Sequence, residues 1–325
     1  MVAHQVKEVA LASSLPSQPP IIDYEGSPYR RAFWEGQGRE YEDLAERAAL
    51  RRLLPPTGEV LIDAGAGFGR LAGLYEGYSR VILMDYSLSL LQEARQLWGH
   101  DPRFLFVAAS IYRMPFVDDL ADAVVMVRVM HHLQAPALAL AEIRRVLQPG
   151  RTFVLEYANK RHLKALIRFL CRRQRWNPFA YEPYEFVPLN YDFHPVWMHA
   201  QLRQAGLIPQ QELAVSTFRW QALKRRIAPA RLAAWDALLA RPLARLRLSP
   251  SLFVRCQNEK PALSPKPVTA CFRCPACGAT IRHEPDASLV CPACGALWPL
   301  VNGIYDLRGR MDPAGAHTAA TASTP

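Results

Sequence analysis

Two groups of residues have the types and the spacing to do chemistry. Cys274-Pro-Ala-Cys277 and Cys291-Pro-Ala-Cys294 are two C-P-x-C turns, each followed by glycine and separated by thirteen residues. A turn of this kind aims two thiolates at one point, and two such turns complete the closed four-sulfur set that structural Zn2+ takes. A closed set leaves no open position, so the expected zinc is structural and not catalytic. Cys271 also makes C-x-x-C with Cys274, but it would be a fifth ligand and is left out. The other group is Asp63-Ala-Gly65-Ala-Gly67-Phe-Gly69, which follows the apolar run Val60-Leu61-Ile62. Glycines at alternate positions let a chain turn sharply and present bare backbone N–H groups to a ligand, with a helix N-terminus behind them. The dinucleotide pattern G-x-G-x-x-G would need its third glycine at Arg70, so a nicotinamide cofactor is disfavoured.

The elements that must position these residues alternate between strand and helix. Residues 40–54 carry apolar side chains at helical spacing and are stopped by Pro55-Pro56. Short apolar runs at 60–62, 81–84, 104–107, 123–127 and 152–155 suit buried parallel strands. Ser87 is placed to cap a helix running to about Leu97, and 136–147 forms another helix closed by Pro149-Gly150. Further elements are a basic helix at 160–175, a Pro- and aromatic-rich loop at 176–195, a helix at 196–205, a strand at 210–218, helical 221–247 and a closing strand at 252–254. The pattern predicts an α/β, Rossmann-like doubly wound sheet with a small C-terminal zinc ribbon. The expected domains are a disordered leader at 1–25, the α/β domain at 26–260, a linker at 261–269, the ribbon at 270–310 and a disordered tail at 311–325. The Pro-rich linker predicts a ribbon whose loss leaves the α/β domain standing.

The glycine loop resembles the first motif of the class I S-adenosylmethionine-dependent methyltransferases, an acidic residue followed by G-x-G-x-G at the end of the first strand. Asp63, Gly65, Gly67 and Gly69 match it. The resemblance implies S-adenosyl-L-methionine as cofactor, with the loop around its methionine part and Asp63 near its amino group. It also implies that the acid ending the second strand, Asp85, holds both ribose hydroxyls, with Tyr86 beside it. Ser110 and Ile111 are similar in place to the adenine-binding segment, although Ser110 stands where the family usually has Asp. Arg128 joins the implied cofactor set. Leu297-Trp298-Pro299-Leu300-Val301-Asn302-Gly303-Ile304 resembles the corresponding run of Trm112-like zinc-binding modules, which act as methyltransferase partners.

Methyl transfer needs a base only if the acceptor must lose a proton. Candidates lie where strands end: His131 and His132, Glu156 and Tyr157, and Asp192 and His194 in an aromatic loop. Each also has a structural reading, as a packed histidine, a cap or an arginine partner.

Charge is unevenly placed. The chain carries 39 Lys+Arg and 29 Asp+Glu, while residues 151–260 alone hold 19 Lys+Arg and 7 Asp+Glu, a surplus of 12 that exceeds the net +10. At 160–173 apolar residues repeat at helical spacing with cations on the other face, which suits RNA, an anionic membrane surface or plain solvation. No run approaches the ~18 apolar residues of a membrane span, and the N-terminus lacks a signal-peptide pattern, so a cytoplasmic chain is expected. The expected function is methyl transfer to a small or lipid-like acceptor. An RNA methyltransferase using the ribbon and the basic segment is the alternative, and a non-catalytic cofactor-binding scaffold is a further one. The ribbon is also a possible site of protein contact.

Overall fold

The computed structural model describes residues 18–261, 271–282 and 287–309; the linker beyond 261, the tail from 310 and residues 1–17 of the leader lie outside them. Helices α1 (Tyr29–Phe33) and α2 (Glu40–Leu53) lead into β1 (Gly58–Ala64), β2 (Tyr78–Asp85), α3 (Leu88–Trp98), β3 (Phe104–Ala108), β4 (Ala121–Met126), α4 (Pro136–Val146) and β5 (Leu147–Ala158). Then come α5 (Leu163–Leu170), the hairpin β6 (Tyr184–Val187) and β7 (Asn190–Asp192), α6 (Pro195–Gln204), β8 (Leu207–Val215), α7 (Gln221–Lys224), α8 (Pro229–Leu246) and β9 (Ser251–Asn258). The ribbon supplies β10 (Phe272–Arg273), β11 (Thr280–Ile281), β12 (Leu289–Val290), β13 (Leu297–Trp298), β14 (Leu300–Val301) and β15 (Ile304–Asp306).

The main sheet has the order β14-β15-β3-β2-β1-β4-β5-β9-β8. From β15 to β5 neighbours are parallel, whereas β9 and β8 run antiparallel. Its strands are apolar on both faces because helices cover both. Ile62, Ile82, Met84 and Val124 pack into one core, and Leu61, Val81, Leu83 and Val125 into the other. The chain moves outward from β1 to β3 and then returns to β4 on the other side of β1. This reversal opens a crevice beyond the carboxyl ends of β1 and β4.

Ser87 caps α3 as expected, its side chain accepting from the Leu90 N–H. Two helices differ from expectation. The basic helix spans only Leu163–Leu170: the His162 ring accepts from the Ala165 N–H at its start, and Arg172 takes a left-handed φ of 55° just past its end. The stretch 221–247 divides into α7 and α8, since Pro229 opens a second helix.

Two segments are corrected. Residues 18–25, expected to belong to a loose leader, are held against the fold: the Glu25 carboxylate accepts from the Leu88 and Ser89 N–H groups at the start of α3, where a negative charge meets the helix's unsatisfied donors. The ribbon is no freestanding module either. β15 pairs in parallel with β3, Phe272 bridges to Phe116, and Phe272, Trp298 and Tyr305 belong to the same core as β1 and β4. A proline-rich linker in the sequence says nothing about where the following segment docks.

Candidate functional site

The crevice at the β1/β4 reversal is walled by the glycine loop on one side and by the chain after β4 on the other. Gly65, Gly67 and Gly69 have φ of 87°, 54° and 73°, all in the left-handed region that disfavours side chains. A Cβ on Gly65 would also fall 2.1 Å from Val129 Cγ2. The loop is tied to the second strand: the Gly67 N–H donates to Asp85 Oδ2 at 2.8 Å, and Ser87 N–H to Oδ1 at 2.9 Å. Burial pushes the Asp85 carboxyl up, against these amides, which pull it down. Asp63 is 3% exposed and accepts from the Tyr75 hydroxyl at 2.8 Å. Burial pushes its carboxyl up to about 7, with Tyr75 and Arg70 opposing.

Asp63, Gly65, Gly67, Asp85, Tyr86, Ile111 and Arg128 all line this cleft. Gly69 lies one step behind the loop, packed against Trp98. Ser110 behaves otherwise: its hydroxyl accepts from the Tyr112 N–H at 3.2 Å, and its neighbours Ala109 and Ile111 line the cleft in its place. A serine with one hydroxyl satisfies its own turn first.

Arg128 is held in a left-handed conformation, φ 60°, by its N–H donating to buried Glu156 at 2.9 Å. Glu156 is therefore an anchor of the backbone. The Arg128 guanidinium pairs with Glu46, which is fully buried and also receives Arg70 at 2.6 Å. Burial alone would raise the Glu46 carboxyl, but the two arginines hold it below its ordinary value. Both guanidinium groups lie over Trp34, at 3.8 Å for Arg70 and 5.0 Å for Arg128. The buried Nε of Arg128 has no partner among the described residues.

Of the base candidates, His132 lines the cleft. Its Nδ1 lies 3.2 Å from the Leu189 carbonyl and its Nε2 lies 3.1 Å from the Tyr24 hydroxyl. A carbonyl cannot donate, so Nδ1 carries the proton and Nε2 accepts from Tyr24. Burial lowers the His132 pKa, and burial with the nearby Tyr29 and Asp85 raises Tyr24 to about 12, so the pair rests as neutral imidazole and phenol. The His131 ring lies 4.0 Å from that of His132 at a tilt of 49° but does not line the cleft, and burial keeps it neutral as well. His194 caps α6 by accepting from the Val196 N–H, and Tyr157 is fully buried in the core of β5. Asp192, raised to about 6 by burial, lies on β7 near Lys160 and outside the cleft wall. Sequence reasoning missed Tyr24, Trp34 and Glu46. The aromatic density of Tyr24, Tyr29, Phe33 and Trp34 was the signal, since an unstructured leader seldom carries so many rings.

In the ribbon, the Sγ atoms of Cys274, Cys277, Cys291 and Cys294 all lie within 4.8 Å of one another, with Cys274–Cys294 at 3.8 Å and Cys277–Cys291 at 3.4 Å. A tetrahedron with Zn–S bonds of ~2.3 Å has S···S edges of about 3.8 Å, so the four thiols fit that ion. Cys271 lies outside the cluster, as expected.

Residues 62–155, which span the cleft from β1 to β5, match the family model described as a methyltransferase domain. This segment is a methyltransferase domain. An uncharacterised chloroplastic methyltransferase of Arabidopsis thaliana is 34% identical over 147 residues, 42% of this chain and 41% of the relative. The demethylmenaquinone methyltransferase of Clavibacter sepedonicus is 34% identical over 115 residues, 35% of this chain and 47% of the relative. The chain thus spans less than half the length of either relative. Among solved structures, a chain from the complex between the Haloferax volcanii Trm112 methyltransferase activator and a methyltransferase is similar over 70% of this chain and 95% of its own, at 20% identity and a TM-score of 0.49. Among the described residues no helix is long and apolar enough to cross a membrane.

Proposed function

We propose that the methyltransferase domain binds S-adenosyl-L-methionine in the β1/β4 cleft and transfers its methyl group to a small or lipid-like acceptor, while the ribbon holds one structural zinc. The observation that carries this reading is the convergence of the left-handed Gly65 and Gly67, Asp63 and Asp85 around one crevice, because backbone amides and two carboxylates match the polar groups of that cofactor. When bound, the cofactor supplies an electrophilic methyl on a sulfonium. The chain's part is to hold and orient. Asp85 offers its carboxylate to the ribose hydroxyls, Asp63 its carboxylate to the ammonium group, and the unpaired Nε of Arg128 is a donor for the methionine carboxylate. Trp34 and the apolar side chains of Leu71, Val129 and Leu133 keep water from the cleft.

Tyr24 and His132 complete the acceptor side. A proton leaving an acceptor hydroxyl passes to the Tyr24 oxygen as Tyr24 passes its own to His132 Nε2, and the Leu189 carbonyl steadies the imidazolium that results. Similarity to a demethylmenaquinone methyltransferase in this region favours a small or lipid-like acceptor over RNA. The experiment is incubation with methyl-labelled cofactor and, in separate reactions, a naphthohydroquinone and bulk RNA. Label in the extracted quinol supports the reading, and label confined to RNA overturns it in favour of the RNA methyltransferase. Tight cofactor binding with no transfer to any acceptor in a broad panel would point to the scaffold.

A further inference from the structure

The segment between β5 and α6 exposes an apolar surface inside a strongly basic one. On α5 the side chains of Leu163, Ile167 and Leu170 are 52%, 52% and 72% exposed, and only Ala165 of that helix is buried. Their spacing of four and three residues places them on one stripe. Among the described residues nothing covers this stripe. Two ring contacts tie the loop after α5 to its neighbours, an edge-on one to the helix and a stacked one to the hairpin. Phe169 meets Phe179 at 6.0 Å, and Trp176 stacks on Tyr184 of β6 at 4.8 Å. Phe186 and Val187, at the end of β6, are 51% and 52% exposed.

The charge around α5 has one sign, while the hairpin side carries the exposed acids Glu182 and Glu185. Residues 160–181 hold seven Lys+Arg and no Asp or Glu. Lys164, Arg168, Arg172 and Arg173 are exposed beside the stripe. The hairpin touches one residue of the cleft wall, since the carbonyl of the turn residue Leu189 accepts from His132.

We propose that α5 and the β6–β7 hairpin form a docking surface for an anionic lipid bilayer. Exposed aliphatic and aromatic side chains enter the boundary between headgroups and acyl chains, while the flanking cations meet lipid phosphates. Nucleic acid would satisfy the cations and leave the apolar stripe in water. A second copy of this chain would cover the stripe and bring the exposed Lys164, Arg168, Arg172 and Arg173 against the same cations of the other copy. An anionic membrane surface satisfies both halves. The Leu189–His132 hydrogen bond links this surface to the cleft wall. Membrane binding itself needs no methyl transfer and is measured without cofactor, so failure of this inference and failure of the proposed activity are distinguishable.

The test is flotation of the full chain with vesicles of phosphatidylcholine alone or mixed with phosphatidylglycerol. The expected result is binding to the anionic vesicles at least ~10-fold tighter than to neutral ones, weakening as salt is added. Replacing Leu163→Ser, Ile167→Ser and Leu170→Ser together, or Lys164→Gln, Arg168→Gln and Arg172→Gln together, should each weaken binding at least ~10-fold. All five exposed or flanking changes on α5, and Arg172 beyond it, lie on the surface, so the thermal midpoint and zinc content should stay at wild-type values and report an intact fold. The proposal is overturned if the wild type ignores anionic vesicles, or if the apolar variant floats as well as the wild type. It is equally overturned if the wild type is a dimer that the apolar variant dissociates, or if it binds single-stranded RNA more tightly than vesicles with an affinity the apolar variant leaves unchanged.

Discussion

The charge state of Asp63 should make cofactor affinity depend on pH. This carboxyl is buried, accepts one hydrogen bond from Tyr75, and has its pKa pushed up to about 7 by desolvation before any cationic ligand arrives. If its carboxylate receives the cofactor's ammonium group, binding requires the ionised form and drives the proton off. The sign follows from the direction of the shift. Above the folded pKa the group is already ionised and affinity is at its plateau; below it, each unit of pH costs about a factor of ten. Between about pH 8 and about pH 6 the ionised fraction falls from about nine-tenths to about one-tenth, so affinity should drop ~10-fold, or ~1.4 kcal/mol. Calorimetry at both pH values, in buffers of different ionisation enthalpy, measures the affinity and the proton released together. Asp63→Asn should bind weakly at both and release no proton. Affinity that stays level across this range in the wild type would refute the role given to Asp63. The same raised pKa acts on folding. Because the folded state holds this proton above the unfolded pKa, the contribution of Asp63 is fully favourable below about pH 4 and is lost as pH rises through about 7.

Three other outcomes follow from the geometry. Gly65→Ala combines a left-handed φ with a Cβ 2.1 Å from Val129, and should cost ~2–4 kcal/mol in urea unfolding; Gly67→Ala, with nothing nearer than Leu90 at 4.0 Å, should cost only ~1–2 kcal/mol, and equal losses would contradict the account of the loop. Metal analysis should return one zinc per chain. In Cys291→Ser the whole chain should melt in one transition lowered by on the order of 10 °C, since β15 and β3 share a sheet, and a ribbon that melts alone would contradict it. Tyr24→Phe should lower methyl transfer to a hydroxylated acceptor at least ~100-fold while cofactor affinity stays within about twofold, and an unaltered rate would remove Tyr24 from the proton path.

The parts of the site that were legible in the sequence are those fixed by local backbone needs. Gly65, Gly67 and Gly69 announce a turn that only glycine enters easily, and an apolar strand ending in Asp85 announces an acid at the carboxyl end of a buried strand. The paired C-P-x-C turns carry their geometry in their spacing. What stayed hidden depends on distant partners. Glu46 and Arg128 are 82 residues apart, Tyr24 and His132 are 108 apart, and neither pair leaves a periodic trace. Periodicity identified α5 as amphipathic but cannot say whether its apolar stripe meets a core. Ser110 had the right position but spends its hydroxyl on the turn at Tyr112.

The central claim is that this cleft binds S-adenosyl-L-methionine through Asp85, and titration of that cofactor into the wild type and into Asp85→Ala tests it directly. Two charge-assisted ribose contacts at ~1.5–3 kcal/mol each set the scale. The account predicts one site per wild-type chain and at least ~10-fold weaker binding in the variant. No binding to the wild type, or equal affinity in the two proteins, would contradict it.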